Sequence, residues 1–256
     1  MRTARLLALG WLFHVKMLTR SAFDGLLGIL YPLFFATVAF FMFRAGANST
    51  SLVYASLGAA VMGVWSSTST SAGAAMQRER WHGTLELLVA APTHFSLVLL
   101  PVTIAQTTIG LYSMAATLFW GRVLFGIGMT IVHPLLFVLG VVATVLSIGA
   151  AGFLLAVSFV RYRTAWALGN MLEYPVWLVA GFLVPLSLFP DWVRPISWVL
   201  APTWGMNAIR EAAMGGTPLP DVVACLALGA VYTLIGVVVV ERVLRAARKR
   251  AALALA

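Results

Sequence analysis

Charge is scarce in this chain. Of 256 residues only 10% are charged, while 61% are hydrophobic. A soluble globular domain carries about 25% charge and about 45–50% apolar residues. That shortage excludes an ordinary water-soluble fold, because so little polar surface cannot cover so much apolar chain. Cysteine is nearly absent as well. Cys225 stands alone, which rules out an internal disulfide and a cysteine metal cluster; it is expected to pack as a small apolar residue. Lysine occurs only as Lys16, followed by Met17, and Lys249, followed by Arg250. A phosphate-binding P-loop needs Gly-x-x-x-x-Gly-Lys-Ser/Thr, so the chain is not itself a P-loop ATPase. His14, His82, His94 and His133 contain no i, i+4 pair and no His-Glu-x-x-His, which leaves a metal or haem role without ligands.

The net charge of +9 could suggest nucleic acid. A phosphate-binding surface needs exposed, clustered cations, whereas these lie at the ends of apolar runs. Nucleic acid is therefore not an expected partner.

What is present is long apolar sequence. About 20 such residues cross a bilayer as a helix, and six runs qualify: 22–43, 51–75, 95–119, 129–160, 164–184 and 222–240. Barrel strands would be shorter and would alternate. The expected class is an all-α integral membrane protein with six transmembrane helices, forming a single transmembrane domain over residues 1–256.

The basic residues orient it. Arg2, Arg5, Lys16, Arg20, Arg78, Arg80, Arg161, Arg163, Arg242, Arg245, Arg248, Lys249 and Arg250 fall on one side of the six runs. Arg44, Arg122, Arg194 and Arg210 fall on the other. By the positive-inside rule both termini are cytoplasmic. Residues 1–20 are basic and partly apolar, with no small-residue cleavage site, so they are expected to stay on the chain. Over 4–20 they suit an interfacial helix along the inner leaflet.

Two connections stand out. Residues 76–93 are polar and charge-dense, with Arg78-Glu79-Arg80-Trp81-His82-Gly83-Thr84-Leu85-Glu86 followed by Pro92. Thr84 can cap a helix start, and Glu86 in the first turn suits the dipole. Leu85, Leu88 and Val89 form an apolar face. Two readings stand: a short cytoplasmic helix that a soluble partner grips, or a plain solvated loop. Residues 185–220 carry Trp192, Trp198 and Trp204 among Pro185, Pro190, Pro195, Pro202, Pro218 and Pro220. Two helical stretches, 191–200 and 203–214, separated by Ala201-Pro202, read as an external re-entrant pair. Such backbone is tolerated at membrane depth only where protein or water satisfies it. The other reading is an amphipathic surface loop.

Glu173 lies about ten residues into the fifth run. An ionisable group at that depth faces the bundle interior or a wet cavity. The reading preferred here is a structural hydrogen bond, to Asn170 or to another span; the other is a substrate-path or coupling group. The hydroxyl run at 66–71, with Ser67 and Ser71, is read first as helix packing and second as part of such a path.

Taken in order, the segment Arg78-Glu79 … Gly83-Thr84-Leu85-Glu86 … Pro92 and the segment Gly181-Phe182-Leu183-Val184-Pro185, Phe189-Pro190, Pro202, Arg210 resemble the signatures of ABC-2 type exporter permeases, especially the drug-exporter branch. The resemblance covers nearly the whole chain. It implies that Arg78, Glu79, Gly83, Thr84, Glu86 and Pro92 contact an ABC-type ATPase subunit through a coupling helix. It implies a second permease, identical or different, and a re-entrant lid holding Pro185, Pro190, Pro202 and Arg210. ATP and Mg would be used by the partner, with no cofactor on this chain. The cargo would be hydrophobic or amphipathic compounds (drug, antibiotic or lipid-like), leaving a bacterial cytoplasmic membrane by alternating access. The runner-up is a lipid-linked glycan exporter permease. An ion-driven secondary transporter would be expected to show repeated, interrupted halves, which the sequence lacks. An intramembrane enzyme would need several convergent polar groups.

Overall fold

The computed structural model describes residues 2–20, 26, 30, 33–34, 36–38, 40–41, 49–81, 83, 94–128, 130–161 and 166–250. The regular elements among them are all helical: α1 (Arg2–Thr19), α2 (Ser49–Trp81), α3 (Ser96–Phe125), α4 (Pro134–Arg161), α5 (Trp166–Val179), a 3-10 turn (Leu186–Leu188), α6 (Val193–Val199), α7 (Ala201–Met214) and α8 (Leu219–Arg250). Residues described between 26 and 41 are helical too. Most of the first expected span lies outside the described residues.

Three of these helices are long and apolar enough to cross a membrane: Ser96–Phe125, Pro134–Ser158 and Leu219–Val243. α2 has 33 residues, about 50 Å at 1.5 Å per residue. Its serine and threonine run makes it less apolar than those three. α5 is described over 14 residues, from Trp166, where the described residues resume after 161, to Val179. It stops at Val179, so the fifth apolar run is not one continuous helix to 184. The fourth run likewise starts its helix at Pro134 rather than 129, because proline's fixed φ and missing N–H suit a first turn. For the same reason Ala201 and Pro202 do not separate two helices but open α7, with Pro202 in its first turn. The break falls one residue earlier, at extended Leu200 (φ −90°, ψ 111°).

α4 is the hub, packing against α2, α3, α7 and α8. Small residues let these helices approach. Thr68 on α2 donates to Thr107 on α3 at 2.9 Å, and Ser147 on α4 donates to the Cys225 carbonyl on α8 at 2.7 Å. α1 lies on α3, where the Trp11 indole donates to Thr108 at 3.0 Å. Leu6, Leu9, Leu12, Phe13 and Met17 of α1 stay exposed. The largest core cluster joins α2 to its neighbours through Leu57, Val61, Trp65, Ile148, Trp177, Phe182, Met206 and Ile209.

Candidate functional site

The seam where α2 meets α5 and α7 holds two buried ionisable side chains, Arg210 and Glu173. It begins with the way α5 ends. Gly181 has φ +73°, a left-handed conformation that glycine adopts without a Cβ penalty. Its N–H bonds the Leu178 carbonyl at 3.0 Å and the Phe182 N–H bonds that of Trp177 at 3.1 Å. This paired closure satisfies the penultimate carbonyls of a helix. The later carbonyls still need donors, because a buried, unpaired C=O is costly.

The re-entrant segment supplies them. Ser197 of α6 donates to the Val179 carbonyl at 2.7 Å. Arg210 of α7 donates to the Gly181 carbonyl at 2.7 Å and to the Phe182 carbonyl at 2.6 Å. It also reaches the Tyr54 carbonyl on α2 at 3.4 Å, and its guanidinium carbon lies 3.3 Å from the centroid of the Tyr54 ring. A planar guanidinium with several donors is suited to this fork, and the ring face offers a cation–π contact. Arg210 is 4% exposed. It is therefore not a water-facing loop charge, as the sorting of basic residues by side had placed it, but a buried cation held by backbone carbonyls. The contact is close: a Cβ on Gly58 of α2 would overlap the Phe182 carbonyl, so glycine is required there.

The pair α6–α7 is itself held. The Tyr232 hydroxyl of α8 accepts from the Ala201 N–H at 3.2 Å and donates to the Val199 carbonyl, spanning the break at Leu200. The Trp204 indole donates to the Trp198 carbonyl at 2.9 Å. Pro185 precedes the 3-10 turn, the Pro190 carbonyl accepts from Val193 at 3.0 Å, and Pro202 is buried.

Farther along the seam lies Glu173, 3% exposed. The Ser66 hydroxyl of α2 faces its carboxyl, and among the described residues its Oε1 has no hydrogen-bond partner. Asn170 is exposed, so the partner comes from another helix. Trp65 of α2 and Trp177 of α5 sit in the same core cluster, and Tyr174 packs edge-on against Trp177 with centroids 5.0 Å apart. Ser67 does not join Glu173. It donates to the Val64 carbonyl at 2.9 Å and approaches the Gln106 carbonyl on α3 at 3.5 Å. The backbone at Ser71 is helical, with its side chain outside the described residues. Ser66 is the member of the hydroxyl run that sequence did not single out; position on the α5-facing side distinguishes it, and sequence alone does not provide that.

At the other end of α2, Arg78 and Glu79 lie on helical backbone, their side chains outside the described residues. Gly83 is an exposed turn residue with φ +67°. Thr84, Glu86 and Pro92 lie outside the described residues. From Tyr54 at the Arg210 node to Trp81 before that turn, α2 is one helix with no proline, about 40 Å long at 1.5 Å per residue.

A family model described as ABC-2 type transporter matches residues 5–214. No curated protein matches the chain.

Proposed function

The chain belongs to the ABC-2 type transporter family, a multi-pass membrane transport component, and from that premise we propose that it is the permease subunit of an ATP-driven exporter. Its cargo in this reading is a hydrophobic or amphipathic compound. The energy comes from an ABC-type ATPase subunit, the partner that membership of the family implies. Two permeases form the path, both termini are cytoplasmic, and the membrane is the bacterial plasma membrane.

One observation of geometry carries the mechanism. α2 runs unbroken from the Arg210 node into the docking segment, through Arg78 and Glu79. A rod of this kind transmits force. When the ATPase dimer closes on ATP, it draws on the segment holding Arg78, Glu79, Gly83, Thr84, Glu86 and Pro92, and α2 moves with it. Arg210 ties α7 and the end of α5 to α2, so the re-entrant lid follows. A partner shifts an equilibrium only by its differential affinity for the two states; here that difference lies in the ATPase dimer's fit to the docking segments.

The test is purification of the full chain in mild detergent from its native membrane, with mass spectrometry of what accompanies it. An ABC-type ATPase in equal stoichiometry is the expected result. The chain alone, under conditions that preserve other complexes, would move the reading to a secondary transporter. In the assembled complex, Glu86→Arg should abolish substrate-stimulated ATP hydrolysis while leaving membrane insertion intact.

A further inference from the structure

We infer that Glu173 is a cation-recognition group in the transport path, and that the cargo class is a lipophilic organic cation. The inference rests on the permease reading for the route by which cargo reaches the group; the chemistry of recognition stands on the side chains themselves.

A carboxyl buried at membrane depth needs partners, usually other charges or several hydrogen bonds. Glu173 has the Ser66 hydroxyl, and its Oε1 has nothing among the described residues. No described basic side chain forms an ion pair with it. Arg210, in the same seam, is engaged by carbonyls instead. A purely structural carboxyl at 3% exposure would be expected to use both oxygens. The indole Nε1 of Trp65, next to Ser66, is buried and among the described residues has no hydrogen-bond partner. The surroundings are aromatic: Trp65 and Trp177 in the core cluster, Tyr174 against Trp177. A carboxylate in a setting rich in aromatic side chains is the chemistry that recognises an organic cation.

Access follows from how α5 is held. It packs chiefly on α2 and touches α4 and α6 little. Met171, Tyr174 and Leu178 on its other face are exposed. Pro175, two residues beyond Glu173, lies inside the helix, where it removes a main-chain hydrogen bond and weakens the turn. The Arg210 node clamps the C-terminal end of α5. The helix can therefore swing from α2 at the Glu173 end while staying pinned at the other.

The test uses the full chain with its co-purifying subunits in nanodiscs of zwitterionic lipid. Binding of radiolabelled tetraphenylphosphonium, a permanent cation, is compared with that of triphenylphosphine oxide, an uncharged analogue, with protein-free discs as background. The expected result is saturable tetraphenylphosphonium binding that weakens at least tenfold in Glu173→Gln and survives in Glu173→Asp. The neutral probe should bind the wild type and Glu173→Gln alike. Equal cation binding by wild type and Glu173→Gln, equal weakening of both probes, or no saturable binding above background would overturn the inference. A second measurement needs no variant. Dicyclohexylcarbodiimide, which modifies membrane-buried carboxyls, should label Glu173, and tetraphenylphosphonium should protect it; labelling unaffected by the cation also overturns the inference. Neither readout depends on ATP, so a negative result here leaves the ATPase co-purification test standing, and the reverse.

Discussion

The two ends of the α2–α5 seam treat a buried ionisable group in opposite ways. At one end Arg210 is engaged by three carbonyls and an aromatic ring. At the other, Glu173 faces one hydroxyl, and among the described residues its Oε1 has no hydrogen-bond partner. Both are almost fully buried, so burial does not separate them; the number of partners does, although among the described residues the Arg210 Nε also has none. A group that several carbonyls share fixes a geometry, because moving it leaves those buried carbonyls unpaired. A sparsely partnered one stabilises little by itself and gains from whatever ligand completes it. The first behaves as a pin and the second as a receptor.

The largest effect should come from breaking the pin. Arg210→Ala leaves the Gly181 and Phe182 carbonyls without a donor. At about 1–3 kcal/mol for each buried group left unsatisfied, the loss is about 2–6 kcal/mol, read as a collapse of the thermal unfolding midpoint in detergent. Arg210→Lys keeps the charge but not the fork and should fall between. Gly58→Ala comes next. Its Cβ would meet the Phe182 carbonyl, a main-chain atom that cannot rotate away. Overpacking of about 1–3 kcal/mol should outweigh the helix-propensity gain of about 1 kcal/mol, giving a smaller but clear drop in the same midpoint. Glu173→Gln should change stability by less than about 1 kcal/mol, since the amide can keep one neutral hydrogen bond to Ser66. A loss as large as that of Arg210→Ala would erase the distinction between the two ends. The smallest effect belongs to Arg194→Ala. Arg194 lies in the same re-entrant segment, 3.3 Å from Asp191, but both side chains are solvent-exposed. Such pairs are worth about 0–1 kcal/mol, so its midpoint should barely move. Arg194 thus calibrates how much of the Arg210 effect is charge and how much is burial.

The sequence exposes some of this arrangement and hides the rest. Long apolar runs made a helical membrane chain legible, because hydropathy reports directly on the solvent a segment needs. Helix ends were less legible. The fifth run continues apolar through Leu183 and Val184, yet its helix stops at Val179; the only local cue is Gly181, which can end a helix or simply pack within one. Pro202 misled by one residue, since proline in a first turn and proline between helices look alike in sequence. Arg210 was named with the re-entrant lid, but its role was hidden. Sorting cations by loop placed it on the outer side with Arg44, Arg122 and Arg194, whereas its two terminal nitrogens bond carbonyls, two of which become available only when α5 breaks nearby. That need arises from tertiary structure. A usable cue was present in its neighbours: Gly205, Met206, Ala208, Ile209, Ala212 and Ala213 are small or apolar, an unusual setting for a solvent-facing cation. Glu173 was visible as a charge deep in an apolar run, but its partner was not: Ser66 became identifiable only once α2 and α5 were placed face to face.

The proposed motion is a swing of α5 away from α2 at the Glu173 end while Arg210 keeps the other end shut. Cysteine accessibility tests it directly. With buried Cys225 replaced by serine, single cysteines are placed at Ser66 and at Ala55, one residue beyond Tyr54, and maleimide labelling is timed in the ATPase-containing complex with and without ATP. Labelling at 66 should accelerate severalfold on ATP turnover while labelling at 55 stays slow. Parallel acceleration at both positions, or none at 66, would contradict it.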